Sequence, residues 1–182
     1  MGASRRRYVA LNKPRGLVTT TTDDRGRDTV YRCFDGGGLP WLGPVGRLDK
    51  ASEGLLLFCN DPAWAAAVTD PARRTPKTYH VQVDRLVDER ELSLFESGIV
   101  ADGVLLRATR ACLLRTGTRN SWLEIVLEEG RNRQIRRLLA AFDIGVLRLV
   151  RVAIGPLSLG ELPKGGWREL DASEVNTLAT PG

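Results

Sequence analysis

GRLDKASEGLLLF, residues 46–58, joins a glycine-bounded turn to an uninterrupted apolar run. The stretch Leu55–Cys59 is short, apolar on both alternating sets and closed by Asn60-Asp61-Pro62, the pattern of a fully buried strand. Asp49 stands in the turn ahead of that strand, between Arg47 and Lys50. A carboxylate fixed there is suited to nucleophilic or acid/base work. It reads equally well as an ordinary turn residue, because Asp is common in turns.

Upstream, Tyr8–Leu11 and Leu17–Thr22 read as strands, with Asn12-Lys13-Pro14-Arg15-Gly16 as the turn between them. Thr29–Phe34 reads as one short helix ended by Gly36-Gly37-Gly38, and Leu39–Val45 leads into the Gly46 turn. Downstream, Asp61-Pro62 opens a helix to about Thr69, with proline at a favoured first position. Thr78–Val83 alternates with period two, placing Tyr79, Val81 and Val83 on one face and His80 and Gln82 on the other. Val87–Ser97 reads as a helix with Asp88 as cap and Gly98 as stop. Val104–Leu114 and Trp122–Leu127 read as an antiparallel ribbon, and Leu147–Ile154 and Trp167–Leu170 as further strands. Strands dominate without regular alternation with helices. This predicts an α+β fold with a central mixed, largely antiparallel sheet and flanking helices. One domain is expected over 8–172, between a basic N-terminal tail, 1–7, and a C-terminal tail, 173–182.

EEGRNRQIRRLLAAF, residues 128–142, supplies the basic feature. Ile135, Leu138, Leu139 and Phe142 share one helical face. Arg133, Arg136 and Arg137 lie opposite, while Arg131 falls in the Gly130 turn at the helix start. No glutamate is interleaved among them between residues 131 and 142. Arg148 and Arg151 follow, and Arg73, Arg74 and Lys77 make a third basic group. Such clusters either stay solvated or track a phosphate backbone. The 182-residue chain carries 27 Lys plus Arg against 22 Asp plus Glu, a net +5 that favours an anionic partner. Three scattered cysteines and a single histidine, His80, argue against zinc and for a reducing compartment. No apolar stretch approaches a membrane span, so a cytoplasmic protein is expected.

Four motifs stand in one order: LNKPRGLV (11–18), GRLDKASEGLLLF (46–58), KTYHVQV (77–83) and EGRNRQIRRLL (129–139). With the closing LRLVRVAIGPLSLGELPKGGWREL, they resemble the RsuA-type branch of the pseudouridine synthases over about Tyr8 to Leu170. Within it, EGRNRQ followed by Arg-Arg and the final Gly-Trp-Arg-Glu are similar to the short RluE type, which acts on 23S ribosomal RNA. The resemblance implies an α+β catalytic domain with a cleft between two halves. It implies isomerisation of a uridine in RNA to pseudouridine, without cofactor or metal. The N-terminal RNA-binding module of many members is not expected, since seven residues precede Tyr8. The substrate is then 23S ribosomal RNA, free or within an assembling large-subunit particle, and the protein a monomer.

The resemblance also assigns roles. Asp49 is the catalytic carboxylate, Arg136 the cation that keeps it ionised, and Tyr79 the ring that stacks on the extruded base and assists proton transfer at C5. Arg47, Lys77, Arg131, Arg133, Gln134, Ile135 and Arg137 are assigned to substrate binding, Ile135 by packing beneath the site. For each a plainer role stands beside this one: a strand tyrosine, a core isoleucine, arginines that only neutralise phosphate. Ser52-Glu53-Gly54 departs from the Thr-Thr-Gly of many members. The rival expectation is a non-catalytic RNA-binding or ribosome-assembly protein with the same basic surface.

Overall fold

The structure, a computed structural model, describes residues 5–20, 28–130 and 133–180. The chain forms two compact units, Met1–Arg73 with Pro156–Gly182, and Arg74–Gly155. The fold is α+β, as the sequence predicts.

In the first unit, β1 (Tyr8–Lys13) is followed by a 3-10 turn (Val30–Phe34), β2 (Gly43–Val45), β3 (Glu53–Cys59) and α1 (Pro62–Thr69). All seven residues of β3 are buried, which is why its sequence shows no polar alternation. β1 and β2 both pair antiparallel with β3, in registers Tyr8↔Cys59 and Gly43↔Cys59. Asp61 caps α1 by accepting from the Trp64 amide at 3.2 Å.

The second unit runs β4 (Lys77–Val83), α2 (Glu89–Ser97), β5 (Ile99–Ala101), β6 (Val104–Leu106), β7 (Arg110–Thr116), β8 (Ser121–Leu127), α3 (Gln134–Ala140) and β9 (Val146–Ile154). Its sheet has the order β9-β4-β8-β7, antiparallel throughout. One face, with Val81, Val83, Leu123, Ile125 and Leu149, packs into a core with Leu92 and Phe95 of α2 and Ile135, Leu138 and Leu139 of α3. α2 carries a full capping box between Asp88 and Glu91.

The chain returns to the first unit with β10 (Leu157–Ser158), β11 (Trp167–Glu169) and α4 (Ala172–Ala179). β11 pairs antiparallel with β1. α4 occupies the stretch expected as a tail. An Asp171–Glu174 capping box starts it, Leu178 is buried, and Trp64 Nε1 donates to the Val175 carbonyl at 2.9 Å.

Four further element assignments change. Asn12 and Lys13 belong to β1 rather than to a turn. The strand expected over Leu17–Thr22 reduces, within the described residues, to a single bridge between Val18 and Thr29, because the Val18 backbone bonds run to Asp28 and Val30. Val104–Leu114 splits in two where the Ala108 amide turns to the Phe95 carbonyl. The basic helix starts only at Gln134, since Arg133 holds a left-handed conformation (φ 52°, ψ 34°) that a right-handed helix cannot include. Phe142 lies past the helix end and still packs on the core.

Candidate active site

In the first unit, the loop bearing Asp49 is tied along its backbone by its own residue Ser52 and by groups from residues 13–19. Thr19 Oγ1 donates to the Leu48 carbonyl at 2.8 Å, and the Ser52 amide to the Asp49 carbonyl at 3.0 Å. The Lys50 carbonyl accepts from the Gly16 amide at 2.8 Å and from Lys13 Nζ at 3.2 Å. Lys13 Nζ also reaches the Ser52 carbonyl at 2.7 Å and the Pro14 carbonyl at 3.1 Å. Gly46 opens the loop at φ +80°, and Leu48 anchors it in the core. Asp49 itself is half-buried, whereas Arg47 and Lys50 are exposed.

Lys13 is the residue that the sequence reading missed. It is fully buried, at 0% exposure, at the end of a strand whose Val9, Ala10 and Leu11 are core. Burial pulls its amine down to about 8, against the opposing pull of the Glu53 and Asp49 carboxylates. Glu53 is buried too, and Lys164 Nζ meets it at 2.5 Å. The only signal for Lys13 in the sequence was its place in an ordered motif; hydropathy points the other way.

In the second unit, Lys77 and Tyr79 project from the core-facing side of β4. Tyr79 stands opposite Arg151 of β9 in the pairing register. Tyr79 is half-buried and packs on the core, so the plainer role of a strand tyrosine is filled. Arg151 is buried, and burial together with its charge lowers the Lys77 amine from the ordinary lysine range.

On α3, Ile135 is buried in the core and Gln134 is buried with Nε2 donating to the Arg107 carbonyl at 3.1 Å. Arg136 and Arg137 are half-buried and Arg133 is exposed. Arg131 lies outside the described residues. Of the third basic group, Arg73 spends its guanidinium on the Ala67 and Thr180 carbonyls, both at 2.6 Å, and Arg74 pairs with Glu128 at 3.5 Å. His80 pairs with Glu124 at 3.1 Å. Among the described residues, no group of three or more His, Cys, Asp or Glu side chains is placed to hold a metal ion. No described helix is long and apolar enough to cross a membrane.

Residues 7–141 match the family model for RNA pseudouridylate synthase. The chain is 37% identical over 182 residues to ribosomal large subunit pseudouridine synthase E of Xanthomonas campestris pv. campestris, covering 92% of this chain and 97% of that protein. It is 39% identical over 175 residues to ribosomal large subunit pseudouridine synthase B of Escherichia coli K12, covering 94% of this chain and 60% of that one. A crystal structure of a pseudouridylate synthase superposes with a TM-score of 0.83 at 32% identity, covering 97% of this chain and 75% of that one.

Proposed function

Because the chain belongs to the RNA pseudouridylate synthase family, we propose that it isomerises one uridine of 23S ribosomal RNA with Asp49 as the catalytic carboxylate. The activity class is that of an isomerase converting uridine in RNA to pseudouridine. The names of the relatives support a large-subunit target, and in this reading the protein works in the cytoplasm, as a monomer, on free RNA or on an assembling particle.

The reaction breaks the C1′–N1 bond, turns the base, and forms C1′–C5. C5 loses its proton and N1 ends protonated, so nothing is gained or lost overall. In this reading the Asp49 carboxylate acts at the sugar. Arg136 is assigned the positive charge that accompanies that carboxylate, as the family resemblance implies. Tyr79 lays its ring against the extruded base, an interaction of about 1–3 kcal/mol that offsets the few kcal/mol of unstacking. Arg47, Lys77, Arg131, Arg133 and Arg137 meet phosphates, while Gln134 and Ile135 hold the start of α3 in place.

One observation carries the assignment of Asp49. The carbonyls of residues 48, 49 and 50 are each hydrogen-bonded within the first unit, so the position of this carboxylate is set before RNA arrives. The test is tritium release from C5-labelled uridine in 23S ribosomal RNA by wild type and Asp49→Asn. These ties run through main-chain carbonyls, which Asp49→Asn keeps, so the variant should fold and release no tritium above background. Equal release by the two proteins would end the assignment.

A further inference from the structure

Leu39-Pro40-Trp41-Leu42 leads into β2, and its tryptophan faces outward. Trp41 is 68% exposed, more than any other large apolar side chain among the described residues. The other exposed side chains of this kind fall between residues 86 and 147, in the second unit, so in the first unit this ring stands alone. Its backbone is nevertheless fixed. Leu42 is buried in the core of the unit, and its carbonyl accepts from Tyr31 Oη at 2.7 Å. The ring lies over Gly43: a Cβ at that glycine would come within 3.2 Å of Trp41 Cη2.

Basic residues run off the same end of the sheet. Gly43 of β2 and Tyr8 of β1 both pair antiparallel with Cys59 of β3, one on each side of it. They stand roughly 10 Å apart, two strand spacings, and the residues ahead of each pass the Cys59 end together. Ahead of Tyr8 come Arg5, Arg6 and Arg7. Asn60, which follows Cys59, holds them in place. Its Oδ1 accepts from the Arg7 amide at 2.7 Å, its Nδ2 donates to the Arg5 carbonyl at 2.9 Å, and its own carbonyl accepts from Arg6 Nη1. Arg7 pairs with Glu169 at 2.5 Å, whereas Arg5 and Arg6 are exposed. Asp61, the acid within the electrostatic reach of Arg6, already accepts from Tyr8 Oη at 2.6 Å and from the Trp64 amide at 3.2 Å.

An indole left in water on a fixed backbone offers one flat face to a planar partner. Docking of a protein there would call for a contiguous apolar patch, and the first unit supplies none around this ring. An unpaired nucleobase needs only a single ring face, and every base has one to match it. Its phosphate is then met by guanidiniums beyond the same sheet end. The position also suits a strand that passes the catalytic loop. From Trp41 the chain runs through β2 and Gly46 to Arg47, six residues that reach at most roughly 20 Å. A few nucleotides of single-stranded RNA span that distance.

We propose that Trp41 is a stacking platform for an unpaired nucleobase flanking the target uridine, with Arg5 and Arg6 binding the backbone beside it. The proposal rests on the reading of the chain as a ribosomal RNA pseudouridine synthase. It adds a specificity subsite to that reading: the chosen uridine is one with a single-stranded neighbour.

The test uses the whole chain with Trp41→Ala, Trp41→Phe and Arg5→Gln/Arg6→Gln, all at exposed positions. Binding of an oligouridylate and of full-length 23S ribosomal RNA is followed by filter retention through a salt titration and by quenching of tryptophan fluorescence. Trp41→Ala should bind both RNAs about tenfold more weakly with an unchanged salt slope. Trp41→Phe should keep most of the affinity and lose most of the quenching. The double arginine variant should show a log–log slope shallower by roughly 1.4, two phosphates of a single strand. In pseudouridine formation on the ribosomal RNA, Trp41→Ala should raise KM about tenfold and leave kcat within about twofold of wild type. Wild-type affinity in Trp41→Ala would overturn the proposal. So would a loss that phenylalanine does not restore, or unchanged RNA binding with lost association to ribosomal particles, which would assign the ring to a protein partner. Should the wild type form no pseudouridine on any RNA, the catalytic reading fails, while the binding and quenching comparisons still decide the platform.

Discussion

Lys13→Met should separate the stability of this protein from its activity. The Lys13 ammonium sits at 0% exposure and donates to three carbonyls, yet its pKa falls from 10.5 to about 8. Those bonds therefore do not recover the full cost of removing the charge from water. The sign follows directly. Below pH 8 folded and unfolded chains both hold the proton, and the folded protein bears that cost. Between about pH 8 and 10.5 the folded chain releases the proton while the unfolded chain keeps it, so stability rises with pH. The shift corresponds to about 3 kcal/mol across the window. Lys13→Met is nearly isosteric and lacks the titration. Urea unfolding of both proteins at a series of pH values should show wild type gaining about 3 kcal/mol relative to the variant between pH 8 and 10.5, with the variant no less stable near pH 7 by more than about 2 kcal/mol. Tritium release, in contrast, should fall at least about tenfold in the variant, because the Asp49 loop loses its tie at Lys50 and Ser52 and small misplacements are costly. A pH-independent stability difference would refute the burial argument, and wild-type turnover in a folded variant would refute the role of the tie.

Gly46→Ala tests the loop from its other end. An added Cβ meets only Thr69 Cγ2, at 3.9 Å, so the cost is the left-handed backbone itself (φ +80°), about 1–2 kcal/mol, read as a drop in urea midpoint. Turnover should fall with it, since the loop starts there. Glu53→Gln removes a carboxylate that holds the Lys13 proton on, so the Lys13 pKa should drop further below its present value of about 8. The basic limb of the tritium-release pH profile should then move to lower pH, and a limb unmoved by the substitution would show that Lys13 does not set it.

The elements that sequence reasoning found are those whose physics is local. The apolar run before Cys59, the alternation from Thr78 to Val83 and the Asp61-Pro62 helix start each announce themselves within a few residues, and the structure keeps all three. What was missed depends on distant partners or on two signals that conflict. α4 is short and half polar. It persists through its capping box and through Trp64, which is more than a hundred residues away in the chain. The β5–β6 hairpin turns at Asp102-Gly103, both at positive φ, a turn signal that was present but lay inside a longer apolar stretch. Arg133 shows no composition bias against helix; only the backbone reveals that the helix starts after it. Among the candidate site residues, motif order pointed to Asp49 and Tyr79. Lys13 was not, because a charged residue at a buried strand end contradicts the hydropathy rule that located the strand.

That contradiction has a physical origin in the loop. Three carbonyls, of Pro14, Lys50 and Ser52, converge on one point. An ammonium offers three donors from a compact centre, where a glutamine amide offers two and a guanidinium is planar and larger. Lysine is thus the side chain that can tie β1 to both ends of the Lys50-Ala51 turn at once. Its charge then needs a counterweight, and Glu53, the first residue of β3, supplies it from a buried position while Lys164 neutralises Glu53 in turn. Seen this way, Ser52-Glu53-Gly54 is one part of an alternating charge arrangement beneath the loop. Its consequence for catalysis is a carboxylate carried on a backbone that is fixed through its carbonyls and a buried cation. Asn at residue 49 therefore removes the charge and leaves the platform standing, whereas Met at residue 13 leaves the charge and loosens the platform. The two substitutions should reduce turnover for different reasons, and only the second should restore part of the loss when temperature is lowered enough to still the loop.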